Sequence, residues 1–206
     1  TADASHELRT PVTILLAETQ RILKRDRTPA EYQDALRTCH DTAGRMQHLI
    51  EALLLMARLE AASAQAAREA CDLAGILGDA SAQLQPLAAA RGITLETRLQ
   101  PASCRADRAS LAILAANLVG NAIQHHRAGA TDAFIRITTG YDEGMAFFSV
   151  SDNGPGIPVE DQPHVFERFY RADKARTGNS GHTGLGLAIA MTIARNHGGS
   201  IKVAST

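Results

Sequence analysis

Ser5-His6-Glu7-Leu8-Arg9-Thr10-Pro11 gathers an imidazole, a carboxylate, a hydroxyl and a proline within two helical turns. A neutral imidazole can attack an electrophile through one ring nitrogen while the other gives its proton to a neighbouring carboxylate such as Glu7. On a helix His6 and Thr10 share a face. Pro11 has no amide hydrogen and crowds the carbonyl of Glu7, so the turn carrying His6 should be loosened or kinked. Alone, the heptapeptide reads more readily as a surface histidine at the start of a helix than as a catalytic centre.

Three downstream stretches change that balance. Asn117-Leu118-Val119-Gly120-Asn121 sets two amides four apart on one helix face, and an amide oxygen is a neutral, hard ligand suited to Mg²⁺ that completes its shell with water and phosphate. Asp152-Asn153-Gly154-Pro155-Gly156-Ile157-Pro158 follows an apolar run. A carboxylate at a strand end can accept from the exocyclic amine of adenine, with glycines turning the backbone against a flat base. Gly181-His182-Thr183-Gly184-Leu185-Gly186-Leu187 opens the last helical pattern, where free amides bind phosphate oxygens. Each has a bland reading of its own: two solvent-facing asparagines, a common Asp-Asn-Gly turn, a glycine-rich turn. There is neither a G-x-G-x-x-G after a strand nor a Walker lysine.

Composition bounds what must carry these groups. The 206 residues, 45% apolar, suffice for one medium domain or two small ones, and with 4% aromatics and no Trp the core must be aliphatic and alanine-rich. With 21 basic against 22 acidic residues, net charge −1, no global field favours nucleic acid or an anionic membrane. Cys39, Cys71 and Cys104, odd in number and far apart, fit reduced structural thiols of a cytosolic protein. No apolar run reaches a bilayer span and no signal-peptide pattern opens the chain, which begins abruptly inside a helical pattern, as a piece of something longer would.

Periodicity supplies the elements. Leu8, Val12, Leu15 and Ile22, with Thr19 as polar member, predict a helix from Ala2 to about Arg25. Thr28-Pro29-Ala30-Glu31 is a capping box that starts a second helix, running to about Ala62 with a seam at Leu36, Cys39, Ala43, Met46, Ile50, Leu53 and Ala57. Its apolar face is wider than one partner covers, so the hairpin should pair with a second copy as a four-helix bundle. Cys39, His40, Met46 and His48 read as filler residues. The alanine-rich stretch 63–70 reads as a hinge or frayed linker. Beyond it come a helix Leu73–Ala90, a strand Ile93–Leu99, a short strand near Cys104, a helix capped by Asp107 and running from Arg108 to about His126, and a hairpin of Phe134–Thr138 with Met145–Ser151. A helical patch Asp161–Phe169, a final helix Leu185–Asn196 and a strand Ser200–Ala204 complete an α/β sandwich with a mixed sheet. The expected class is α+β: residues 1–62 a helical hairpin, 63–70 a linker, and 71–206 the sandwich domain, with a lid at 154–183.

In this order and at these separations, the three stretches resemble the N, G1 and G2 boxes of the ATP-binding fold shared by histidine kinases, Hsp90-type chaperones, MutL and gyrase B. Phe166-Glu167-Arg168-Phe169-Tyr170-Arg171 looks like the F box of the kinases alone, and Ser5 to Pro11 like their H box. The chain is thereby identified, essentially over its whole length, as a resemblance to the catalytic core of sensor histidine kinases. That resemblance implies ATP and Mg²⁺ as cofactors and His6 as phosphoacceptor, with Glu7 holding or deprotonating its second nitrogen. It implies Asn121 as the principal metal ligand supported by Asn117, and His125 beside the nucleotide. Asp152 would read adenine, Gly154 and Gly156 shape the base pocket, and Thr183, Gly184, Leu185 and Gly186 line the phosphates. Phe166 would anchor the lid, and Arg168 or Arg171 would help neutralise the transferring phosphoryl group. It further implies a homodimer, a response-regulator partner with an acceptor aspartate, a reverse phosphatase activity resting on Thr10, and a cytoplasmic location reached through upstream membrane segments.

Three positions depart from the family pattern. Gln124 stands where Lys or Arg usually faces the phosphates, His182 replaces a common small residue, and the sequence stops at Thr206 before the usual Gly-Thr strand, so the sheet is expected to lack an edge. The rival readings are an ATPase of the wider fold without histidine chemistry, opposed by the H and F boxes, and a non-catalytic dimerisation and docking module, for which only Gln124 and the early end speak.

Overall fold

The computed structural model describes residues 2–61, 68–126, 132–172 and 183–205. Helices α1 (Ala2–Leu23) and α2 (Pro29–Ala61) pack together as a hairpin. The capping box sets the start of α2. The Glu31 N–H donates to Thr28 Oγ1 at 3.3 Å and the Thr28 N–H donates to the Glu31 carboxylate at 2.8 Å. The Thr28 backbone bond, followed by its hydroxyl, holds the Glu31 carboxyl below its ordinary range.

The hairpin seam differs from the expected one. Ala4, Leu8, Pro11, Leu15, Glu18 and Ile22 are half-buried positions of α1, whereas Val12 and Thr19 are exposed. On α2 the buried line is Ala35, Thr42, Leu49 and Met56, seven residues apart. Leu36 is 68% and Ile50 41% exposed while Cys39, Met46 and Leu53 are half-buried, so the predicted seam is only partly covered within one chain. One helix partner covers a single heptad stripe, and the second apolar stripe stays open within one chain.

The rest of the chain builds on two short ladders. Strand β1 (Glu69–Asp72) pairs antiparallel with β3 (Ser103–Ala106), so Glu69 and Ala70 belong to a strand and not to the predicted linker; four residues carry too little alternation to announce themselves without that partner. Strand β2 (Thr94–Leu99) runs parallel to β4 (Phe134–Asp142), which runs antiparallel to β5 (Met145–Asp152), a mixed sheet of order β2-β4-β5. Helices α3 (Leu73–Ala90) and α4 (Arg108–His125) cover one face, burying Ile135 and Ile137 against Ile76, Leu77, Val119 and Ile123. At roughly 2 kcal/mol per buried aliphatic side chain, this layer dominates the stability of the domain. Helix α5 (Gly186–Asn196) joins a second cluster in which Leu114 of α4 meets Ile189 and Ile193 of α5 and Leu49, Met56 and Leu59 of α2.

Two expected elements are absent among the described residues. Between Asp161 and Phe169 the amides make successive short turns (Asp161 N to Pro158 O, His164 N to Asp161 O, Glu167 N to His164 O) in place of a helix. Pro163 has no amide to donate, and Gln162, His164 and Tyr170 spend their polar groups on local side-chain bonds. Residues 201–205 keep the alternating burial of a strand, yet they bond to no ladder. Ser205 instead accepts the Ile157 N–H at 2.7 Å and the Gln162 amide at 3.3 Å. No described helix is long and apolar enough to cross a membrane.

Candidate functional site

His6, Glu7 and Thr10 are exposed on the first turns of α1. Helix α1 continues through Pro11, and the hydroxyls of Thr10 and Thr13 donate to the carbonyls of His6 and Arg9 at 3.3 and 2.9 Å. Both bonds occupy carbonyls of the turn that precedes the proline.

The other candidates converge at one end of the sandwich because three elements terminate there. Helix α4 is started by Asp107, whose carboxylate accepts from the amides of Ala109 and Ser110 and, at 2.5 Å, from the Ser110 hydroxyl. The Ser110 hydroxyl is the largest cause holding the Asp107 carboxyl below its ordinary range. Starting there, α4 brings Asn117 and Asn121, both half-buried, to successive turns of one face. The Asn117 side-chain amide donates to Ile113 O at 3.0 Å, which turns its oxygen the other way, toward α5. A β-carbon placed on Gly186 would lie 3.0 Å from that oxygen, so the mouth of α5 is open only because residue 186 is glycine.

The start of α5 carries no side-chain cap. Thr183 Oγ1 accepts the Leu185 N–H at 3.4 Å, and the Leu185 side chain is fully buried, anchoring the turn. The first amides of the helix therefore remain as donors. Gly184 takes φ 66°, and a β-carbon there would stand 2.8 Å from the Phe169 backbone. Phe169, itself at φ 62°, donates its N–H to Gly184 O at 3.0 Å and packs its ring into the second cluster. Phe169 thus ties this stretch to the core, and Phe166 is half-buried to the same degree.

At the end of β5, Asp152 accepts the Gly154 N–H at 2.8 Å, and Gly156 turns the chain at φ 74°. His125, last residue of α4, faces the same place: its imidazole is pushed below its ordinary range by desolvation first and then by the cations of Arg171 and Arg91, with Asp152 opposing. Arg171 therefore sits within the field of His125. Arg168 is engaged elsewhere, in an ion pair with Glu60 of α2. Gln124 is exposed and its carbonyl accepts from Arg91 at 3.2 Å. Gly181, His182 and the lid positions 173–182 lie outside the described residues. Between α2 and the α4–α5 layer lies a cavity of about 370 Å³ lined by His48, Glu51, Leu55, Ile113, Asn117 and Ile189, so His48, read above as filler, borders this cleft.

The site fits a nucleotide: a carboxylate at a strand end, uncapped helix amides, a glycine mouth faced by an amide oxygen, and an arginine close by. For a divalent cation it offers amide oxygens only. No cluster of three acidic, His or Cys ligands occurs among the described residues, so such an ion would depend on phosphate oxygens and water for its remaining ligands.

Fold and site together define an ATP-binding sandwich joined to a helical hairpin that displays a histidine. Comparison with known proteins agrees. Residues 106–206 match the family model described as histidine kinase-, DNA gyrase B- and HSP90-like ATPase, and residues 1–62 match the His Kinase A phospho-acceptor domain. Sensor histidine kinase RppB of Synechocystis is 38% identical over 208 residues, covering 100% of this chain and 45% of RppB. In fold, histidine kinase AdeS of Acinetobacter baumannii aligns over 98% of this chain and 91% of its own at TM-score 0.70 and 24% identity. Histidine kinase ThkA, solved in complex with response regulator TrrA, aligns over 97% of this chain and 55% of its own at TM-score 0.72 and 22% identity. The chain belongs to the sensor histidine kinases of two-component systems. It spans about half the length of the curated relatives it matches.

Proposed function

We propose that this chain transfers the γ-phosphoryl group of ATP to His6 and passes it on to an aspartate of a response-regulator receiver domain. The observation that carries this reading is the Asn117 oxygen set against the Gly186 mouth of α5, in a domain whose α5 packs directly on the helix hairpin that bears His6. In the transfer, one ring nitrogen of His6 forms the bond to phosphorus as the bond from phosphorus to the ADP oxygen breaks, and the proton of the other nitrogen is held or taken by Glu7. Asp152 orients the adenine, the open amides of α5 hold phosphate oxygens, and Arg171, which lies within the field of His125, is favoured over the Glu60-paired Arg168 as the neutralising cation. Asn121, with Asn117, would hold Mg²⁺, which supplies charge neutralisation on the phosphates. In the reverse direction the Thr10 hydroxyl orients a water against the regulator's phosphoaspartate.

The open stripe with Leu36 and Ile50, together with the exposed Leu16 and Leu54, supports a homodimer through a four-helix bundle formed by residues 1–62. The sensor names and greater length of the relatives support a place for this core, with its catalytic domain 71–206, at the cytoplasmic face of a membrane-bound protein.

The test is incubation with γ-labelled ATP and Mg²⁺ for the native chain, His6→Ala and Asn121→Ala. Acid-labile label on the native chain, lost in both variants, is the expected result. Binding of ATP without labelling would sink the kinase reading, and release of inorganic phosphate without protein labelling would favour a plain ATPase.

A further inference from the structure

His126 follows the last turn of α4 and is 8% exposed, a buried polar side chain that none of the roles above uses. Its Nε2 lies 2.9 Å from Asn153 Oδ1. The orientation of the Asn153 amide is fixed by the backbone. Its oxygen accepts the Phe134 N–H at 2.8 Å and its nitrogen donates to Asp132 O at 2.9 Å, and neither of those main-chain groups can exchange roles. The oxygen therefore faces the imidazole, and Nε2 must carry a proton and donate. Asn153 also donates its own N–H to Phe134 O at 3.4 Å. One amide thus ties together the end of α4, the start of β4 and the exit of β5.

Asp152 and Gly154 flank that amide in the chain. A β-carbon on Gly154 would lie 2.6 Å from Asp152 Oδ1, too close to be accommodated, and in ordinary contact, 3.9 Å, with the His126 α-carbon. Where the Asp152 carboxylate stands is therefore set by its bond to the Gly154 N–H and by how closely residues 152–154 are held against His126. We propose that His126 is a positioning residue for base recognition, acting through Asn153 to hold the Asp152 carboxylate where it meets the exocyclic amine of adenine. The inference rests on the nucleotide-site reading above and adds a residue that holds the adenine-reading carboxylate in place. Without the Nε2–H donor, the Asn153 oxygen keeps only the Phe134 amide, and the β5 exit gains freedom that a directional hydrogen bond to a base cannot tolerate.

The experiment measures calorimetric binding of ADP and of its 6-deaminated analogue, purine riboside diphosphate, each with Mg²⁺, to the native chain, His126→Leu and His126→Gln. The native chain should prefer ADP by about 10-fold or more, as expected of a site built to bond a polar group. In His126→Leu the affinity for ADP should fall about 10-fold while the analogue changes by less than about 2-fold, with stoichiometry unchanged. His126→Gln, which keeps an N–H of similar reach, should restore most of the preference. A merely structural role would lower stoichiometry or weaken both ligands alike, and either result overturns the inference, as does native behaviour of His126→Leu. Should His126→Leu not fold, His126→Asn, polar but too short to reach Asn153, must show the same selective loss. Failure of the native chain to bind either nucleotide would sink the nucleotide site and this inference with it, whereas native binding with indifferent variants sinks this inference alone.

Discussion

Gly186 and Asn117 show how little room the phosphate end of the site leaves. The Asn117 amide cannot swing freely, because its nitrogen is bonded to Ile113 O at 3.0 Å, and a methyl group on residue 186 would sit 3.0 Å from its oxygen. Gly186→Ala should therefore weaken binding of ADP with Mg²⁺ on the order of 10-fold, the worth of one hydrogen bond to a charged group. The melting temperature should stay level or fall slightly, since the better helix propensity of alanine is offset by the tight contact with the pinned Asn117 amide. Unchanged affinity by calorimetry would mean that the Asn117 oxygen does not face the ligand. Gly184 is constrained differently: its positive φ and its contact with the Phe169 backbone make it part of the frame.

At the scale of elements, the site depends on where α4 starts and where α5 stops, and the two ends are bonded to each other. The Asp107 N–H donates to His197 Nε2 at 3.1 Å, and His197 Nδ1 in turn donates to Ile193 O at 2.8 Å. Loss of the cap in Asp107→Ala should cost about 1 kcal/mol, read as a lower melting temperature at neutral pH. The sign of its pH dependence follows from the depressed carboxyl. Stability from Asp107 is present above the ordinary carboxylate range, about 3.9, and is lost as pH falls through that range to the lower folded value. The gap in melting temperature between native and variant should thus close on acidification. A gap independent of pH would show that the carboxylate does not act through its charge-assisted bonds.

Across the whole molecule, the hairpin and the ATP-binding domain meet along α2 and α5. Met56 and Leu59 are buried there with Ile189 and Ile193, the Asn196 amide donates to Leu59 O at 2.7 Å, and Arg68 donates to Asn196 O at 2.8 Å. The Glu60–Arg168 pair is half-exposed and adds at most about 1 kcal/mol, so apolar burial decides the docking. Leu59→Glu places an unpaired charge in that contact and should separate the two units, raising the radius of gyration in small-angle scattering; Glu60→Gln should leave it unchanged. An unchanged radius in Leu59→Glu would show that another contact holds the domains together.

What the sequence by itself determined is local. The capping box at Thr28 and Glu31, the Asp107 cap, the α3 and α4 stripes and the β4–β5 alternation are all written in residues within a few positions of one another, because caps and amphipathic faces depend on short-range geometry. The motif stretches were legible for the same reason: backbone approach to a phosphate demands particular residue types at fixed spacing. Tertiary structure decided the rest. Only folding shows that Glu69–Asp72 is a strand, since its ladder comes from residues 103–106, and that residues 201–205 are not one, since no ladder receives them. Only packing pairs Arg168 with Glu60 and selects the stripe through Ala35, Thr42, Leu49 and Met56 as the buried one. The amide of Asn153 gathers three elements distant in sequence, and a network of buried hydrogen bonds leaves no period or spacing by which it could have been read beforehand.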